Sequence, residues 1–239
     1  MTKPGTDRRD SRWLNARELA FFGRVMAGQS HEVTNVLNII HELAGLQSDL
    51  LGSAEHGRPL DVDRLRQTAE RIRHQVRRGE TIVRAMNRFA HSVDCPVTVF
   101  DVREAIGEIA QLSERSAHLA RAVLECKLSD ESVPLETSPF GFKHAVFLCI
   151  EMALAAADRQ RRVAIDYRIS EPGVTITITS ADPMVRGAES DETLGLLKSL
   201  LDCLGGQLVH APAGEDPHRV VIFFPRPESV NPASDTPRA

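Results

Sequence analysis

Cysteine is scarce and scattered in this chain. Cys95, Cys126, Cys149 and Cys203 form no C-x-x-C pair, which fits reduced thiols better than a disulfide framework or a zinc site, and no metal site is expected. A long hydrophobic run is missing too. The longest nearly uncharged apolar stretch, residues 145–157, spans 13 residues and includes Glu151, short of the roughly 18 that a membrane span needs. The first 13 residues carry charge but no apolar h-region, so no secretory signal is expected and the cytoplasm is the default compartment. Neither sign of charge is in excess: 29 Lys and Arg stand against 33 Asp and Glu, for a net charge of −4. That balance argues against a surface that is a nucleic-acid footprint throughout. What is present is an ordinary soluble composition of 239 residues, 42% apolar, 26% charged and 5% aromatic. Such a chain is too apolar to be disordered throughout and long enough for one large or two small domains.

The ends are polar and rich in breakers, with Pro4 and Gly5 at one and Pro225, Pro227, Pro232 and Pro237 at the other. Residues 1–16 and 227–239 are expected to be disordered tails. Between them the pattern changes near Cys95 and Pro96. Before that point Leu19, Met26, Val33, Ile40 and Gln47 recur every seven residues, interleaved with Phe22, Gln29, Val36, Leu43 and Leu50 at the same period. This is the a/d seam of a long helix. The pattern lapses around Gly52 and Gly57 to Pro59, then resumes with Val62, Ala69, Val76, Val83 and Ala90, interleaved with Leu65, Ile72, Gly79 and Met86. Residues 17–93 therefore predict an antiparallel helical hairpin, whose apolar seam is too large to leave in water and calls for a dimeric four-helix bundle.

After the boundary the segments shorten and alternate. Residues 101–119, 139–158 and 191–204 predict helices, the last closed by Gly205 and Gly206 as a C-cap. Residues 122–128, 162–170, 173–179, 207–210 and 219–224 predict strands, most clearly where Val174, Ile176 and Ile178 alternate with Thr175, Thr177 and Thr179. The order indicates an α/β sandwich over residues 97–226, giving a fold class of α plus α/β.

With Met26 at a and Gln29 at d, His31 falls at f and Glu32 at g, and Asn35 falls at c of the next heptad. His31 and Asn35 then lie one turn apart on the exposed face. An exposed imidazole nitrogen can act as a nucleophile and accept a phosphoryl group. Glu32 can orient or deprotonate the ring, and Asn35 can hydrogen-bond a water or an oxyanion. The alternative is a solvated bystander, the usual state of a histidine on a helix surface. His41, His74, His91 and His144 have no motif around them and are expected to be structural or surface residues.

The run SHEVTNVLNII, preceded by FFGRVMAGQ, resembles the H box of bacterial two-component sensor histidine kinases in its H-E-x-x-N variant. The resemblance implies that His31 is the phospho-acceptor, Glu32 the adjacent acid that serves as general base in kinase action, and Asn35 the position that supports dephosphorylation of a partner receiver. GETIVRAMNRFAHS is similar to the end of the family's second bundle helix. Over residues 17–226 the likeness implies a dimerisation and phosphotransfer hairpin followed by a Bergerat-like ATP-binding domain.

The nucleotide boxes depart from that family. In FKHAVFLCIEMALAAAD the two asparagine positions, the second of which ligates magnesium, hold Leu148 and Met152, and neither side chain offers a hard oxygen ligand. The box that reads Asp-x-Gly-x-Gly in the family has Ser180, Asp182 and Met184 in those places, with Asp182 as a possible displaced survivor. The last glycine box is reduced to DETLGLLKSL, in which only Gly195 remains, so the backbone approach that glycines give a phosphate is lost. The expectation is a domain that keeps the fold without productive ATP binding, no cofactor bound by this chain, and magnesium supplied by a partner receiver.

Between Val62 and Ser92 eight arginines face three acids. Receiver domains carry an acidic pocket, and a basic neighbour speeds encounter and fixes orientation. Arg73, Arg77, Arg84 and Arg88 are the candidate partner-binding residues, unless the arginines are simply the solvated face of the helix. No aromatic before Phe89 interleaves with them, which argues against nucleic acid. The first expectation is a cytoplasmic, homodimeric histidine phosphotransfer protein relaying a phosphoryl group between receiver aspartates through His31. Autokinase activity is not expected. The alternatives are a response-regulator phosphatase or an active histidine kinase, and, in a different class, a non-catalytic adaptor that binds a receiver or a kinase.

Overall fold

The structure, a computed structural model, describes residues 7–129, 131–156, 162–170, 172–184, 188–212 and 216–226. The expected tail at residues 227–239 lies outside the described residues, as do residues 1–6. The chain divides into two units, of which one is Asn15–Ser92 and the other carries Val93 onwards.

Two helices make up the Asn15–Ser92 unit: α1 (Asp7–Glu55), from Asn15 onwards, and α2 (Val62–His91). Helix α1 starts ten residues before position 17, so residues 7–16 are helical and not a tail. Beyond Gly5 nothing upstream breaks a helix, and extending one already nucleated adds a hydrogen bond for each residue fixed. Gly57, at φ +82°, takes the left-handed conformation that closes α1, with its N–H donating to the Ala54 carbonyl at 3.0 Å. Asp61 then caps α2, its side chain accepting from the Arg64 N–H at 2.9 Å. Contacts along the pair run in opposite senses. Phe21 and Phe22 meet Phe89 with ring centroids 5.4 and 5.6 Å apart, Glu32 meets Arg78, and the Gln47 amide donates to the Leu65 carbonyl at 3.4 Å. The hairpin is therefore antiparallel.

Its core is narrower than the two heptad columns predict. On α1 the d column is inside at Gln29, Val36 and Leu43, joined by Phe21 and Val25. On α2 the buried residues are Thr68, Ile82, Ala85 and Phe89, not the expected column of Val62, Val76 and Val83, which is exposed. A helix facing one neighbour buries one stripe, so the second apolar column of α2 stays outside and that of α1 is half-buried at Met26, Val33 and Ile40.

The second unit begins with a small antiparallel pair, β1 (Thr98–Asp101) and β3 (Pro134–Thr137), neither of which the sequence pattern predicts. Five further strands follow: β2 (Val123–Lys127), β4 (Arg162–Ser170), β5 (Gly173–Ser180), β6 (Gln207–His210) and β7 (Arg219–Pro225). They form one sheet in the order β2-β4-β5-β7-β6, with β2 parallel to β4 and the other pairs antiparallel. Register places Ile165, Ile178 and Val220 in one row and Tyr167, Ile176 and Ile222 in the next, and all six are buried. The opposite face carries Asp166, Thr177, Arg168 and Thr175, as period-2 alternation requires.

Helices α3 (Val102–Leu119), α4 (Pro139–Ala156) and α5 (Ala188–Leu204) complete this unit. The fold class read from the sequence, a helical region followed by an α/β sandwich, is the one observed. Among the described residues α4 is the one helix long and apolar enough to cross a membrane, and most of it is buried. It is apolar all round because its neighbours cover it all round. Two polar groups are buried with it. Lys143 pairs with Glu108 of α3 at 2.7 Å, and His144 is 2% exposed.

Burial pushes the His144 pKa down from 6.5 to about 4. The folded state then refuses a proton that the unfolded chain binds below pH 6.5, so this residue's contribution to stability is whole above that pH. We expect up to about 3 kcal/mol to be lost as pH falls from 6.5 to 4. Denaturant titrations over that range should show the slope in the native protein and a flatter one in His144→Leu.

Candidate functional site

The side chains singled out in the sequence lie on one stretch of α1. Its heptad turns Val36 and Leu43 toward α2, and the residues on the far side of the helix face water. His31 and Asn35 are both exposed, four residues apart and so on one face. Glu32 differs from its neighbours. Its side chain is 21% exposed and its Oε2 accepts from Arg78 Nη2 at 2.9 Å. The acid beside the histidine is thus tied to the other helix.

Of the expected partner-binding arginines, Arg73, Arg77, Arg84 and Arg88 are all exposed on α2, and their spacing of four, seven and four residues sets them in one stripe. Arg73 pairs with Glu70 at 3.2 Å and Arg84 with Glu80 at 3.9 Å, each on its own helix. Arg78 stands one residue off this stripe and turns to α1. It was not among the candidates from sequence, because reach across 46 positions depends on hairpin register. The one signal was Gly79 in the seam, since a glycine inside a helix marks a close approach. A Cβ at Gly79 would lie 3.3 Å from Val36 Cγ1.

His41, His74 and His91 are exposed on the hairpin, and His144 is buried in α4. Among the described residues no cluster of three or more His, Cys, Asp or Glu is placed to hold a metal ion.

The positions that carry nucleotide chemistry in the resemblance are core positions here. Leu148 and Met152 on α4 are each 9% exposed, and Ser180, Asp182 and Met184 are buried as well. The Asp182 backbone N–H donates to Ser180 Oγ at 3.3 Å. Gly195 sits inside α5, where a backbone amide is committed to the carbonyl one turn back and forms no loop around a phosphate. Residues 185–187 lie outside the described residues. A thioether and an isobutyl group buried in an apolar helix offer magnesium no oxygen, so these residues do not fit a magnesium nucleotide.

No protein-family model matches the chain. No curated protein matches it either. Among solved structures it is similar to the Acinetobacter baumannii histidine kinase AdeS, at 13% identity over 77% of this chain and 94% of that one, with a TM-score of 0.46. It is also similar to the catalytic domain of histidine kinase ThkA, at 15% identity over 55% of this chain and 97% of that one, TM-score 0.47. The mycobacterial sensor histidine kinase MprB is a third, at 19% identity over 54% of this chain and 98% of that one, TM-score 0.44.

Because His31 is exposed, its replacement should leave the fold alone. We expect His31→Gln to change the unfolding free energy by no more than about 0.5 kcal/mol, measured by urea denaturation.

Proposed function

We propose that this chain is a cytoplasmic histidine phosphotransfer protein of a two-component relay, in which His31 takes a phosphoryl group from the aspartate of one receiver domain and passes it to another. The observation that carries this reading is the exposed His31 on the outward face of α1, one turn before exposed Asn35 and next to Glu32. The neutral imidazole needs only to be presented; a receiver holds its own magnesium and supplies the electrostatic help for transfer. The stripe of Arg73, Arg77, Arg84 and Arg88 meets the receiver's acidic pocket. ATP is not used, because Leu148 and Met152 replace the oxygen ligands that its magnesium requires.

The working form is a homodimer. The hairpin leaves an apolar column of α2 outside, with Val62 and Val76 54% and 45% exposed, and on α1 leaves Leu19 71% exposed and Met26, Val33 and Ile40 half-buried. A second copy covers these residues in a four-helix bundle. Burial of each large aliphatic side chain contributes about 1.5 to 3 kcal/mol. Light scattering at micromolar concentration should give a dimer for the native protein and a monomer for Val33→Asp. A native monomer contradicts this part of the reading.

The phosphotransfer itself is tested by incubating the protein with a panel of receiver domains loaded with labelled phosphate. Acid-labile label should appear on the native protein and vanish in His31→Gln. Asn35→Ala should still take label while the receiver's phosphate lives longer, as expected of a residue that positions a hydrolytic water. Label transfer to His31→Gln at the native rate contradicts the reading, and faster receiver dephosphorylation by that variant favours a phosphatase. Calorimetry with magnesium and ATP should show no binding; a dissociation constant below about 100 µM, near −5.5 kcal/mol, restores a kinase.

A further inference from the structure

The five-stranded sheet has two edges, and they differ. Strand β6 at one edge is interrupted by a register shift between Leu208 and His210, the kind of bulge that turns an edge away from an incoming strand. Strand β2 at the other edge pairs with β4 in unbroken parallel register from Val123 to Lys127, and among the described residues it has no strand on its far side. A regular edge presents unpaired backbone N–H and carbonyl groups, a template for another strand. Val123 is 57% exposed, and Cys126 and Lys127 are exposed as well.

The side chains along this edge decide which strand fits it. Register with β4 places Leu124 and Cys126 on the face of Val163 and Ile165, and Glu125 and Lys127 on the opposite face with Ala164 and Asp166. Residues 124–128 read Leu, Glu, Cys, Lys, Leu. Run antiparallel to itself about Cys126, that order sets Glu125 opposite Lys127 of a second copy, Lys127 opposite its Glu125, and Leu124 opposite its Leu128. The neighbouring two-fold registers, centred on Glu125 or on Lys127, set a charge against itself, which is unfavourable. Within the chain these charges are weakly engaged. Glu125 meets Arg162 at 4.0 Å with 40% of its side chain exposed, and Lys127 has no ion pair among the described residues.

We propose that β2 is an interface between copies of this chain, pairing antiparallel with β2 of a second copy about a two-fold axis at Cys126 and joining the two sheets into one. The surface lies in the second unit and is independent of both the hairpin dimer and the phosphotransfer reading.

The chain carries its own reporter. Opposed residues of an antiparallel pair have Cα atoms about 4.5 to 5.5 Å apart, within the roughly 4.4 to 6.8 Å that a disulfide spans. Full-length protein with Cys95→Ser and Cys203→Ser keeps Cys126 as its one exposed thiol, since Cys149 is buried. Diamide takes two electrons and two protons from a pair of thiols as the disulfide forms, and the product is counted as dimer on a non-reducing gel. Each rate is divided by that thiol's rate with iodoacetamide, because burial and the nearby Glu114 raise the Cys126 pKa. At micromolar protein this variant should cross-link at least about tenfold faster than a chain that keeps Cys203 as its exposed thiol, since pairing raises the effective thiol concentration. Glu125→Lys and Lys127→Glu should each slow it about tenfold, because the two-fold axis turns two attractive pairs repulsive at once. Glu125→Lys combined with Lys127→Glu restores the complementary order and should restore the rate. Circular dichroism should be the same for all variants. Cross-linking of Cys126 no faster than that of Cys203, native rates in either single variant, or a double exchange as slow as the single ones overturns the proposal.

Discussion

The close approach of α1 and α2 around Gly79 is the contact on which the site depends. A Cβ there would press on Val36 at 3.3 Å, tighter than packed side chains normally tolerate. With Val36 and Leu43 turned inward, the helical period leaves His31 and Asn35 no direction but outward. Farther along the pair, the rings of Phe21 and Phe22 pack on Phe89, which has no exposed surface. Aromatic packing and a missing side chain thus set the hairpin's register together, and register decides that Glu32 meets Arg78.

The second unit is held by a different constraint. Helix α4 is buried on nearly every side, and the buried sheet rows are aliphatic at Ile165, Ile178, Val220, Ile176 and Ile222, with Tyr167 the exception. Polar groups buried in this layer include the Lys143–Glu108 pair and His144, whose pKa burial pushes down to about 4. Leu148 and Met152 belong to the same apolar layer. Their burial contributes to the core whether or not a nucleotide is nearby. On the reading proposed above, the chemistry has moved to the hairpin.

Much of this was legible in the residues. The seven-residue period located both long helices, and the Val and Thr alternation of β5 gave that strand nearly to the residue. Strands β1 and β3 were not legible. Four residues each, with Pro134 opening one of them, they are too short to show a period, and their pairing depends on contact across 33 to 39 positions. The start of α1 was missed because the heptad seam ends before the helix does. His31, Glu32 and Asn35 were found from their spacing together with the H-box resemblance; the exposure of His31 and Asn35 follows the heptad positions assigned to them, whereas Glu32 is half-buried against α2. Arg78 was counted among the basic residues of α2, but its partner was not, since local periodicity says nothing about which face of one helix meets which face of the next.

The central claim is that His31 carries the phosphoryl group, and its most direct test is NMR of protein with nitrogen-15-labelled imidazoles, incubated with phosphorylated receiver domains. The account predicts a phosphorus–nitrogen coupling on one ring nitrogen of His31 and unchanged signals for exposed His41, His74 and His91. Spectra in which every imidazole stays unmodified while the receivers lose their phosphate to water would contradict it.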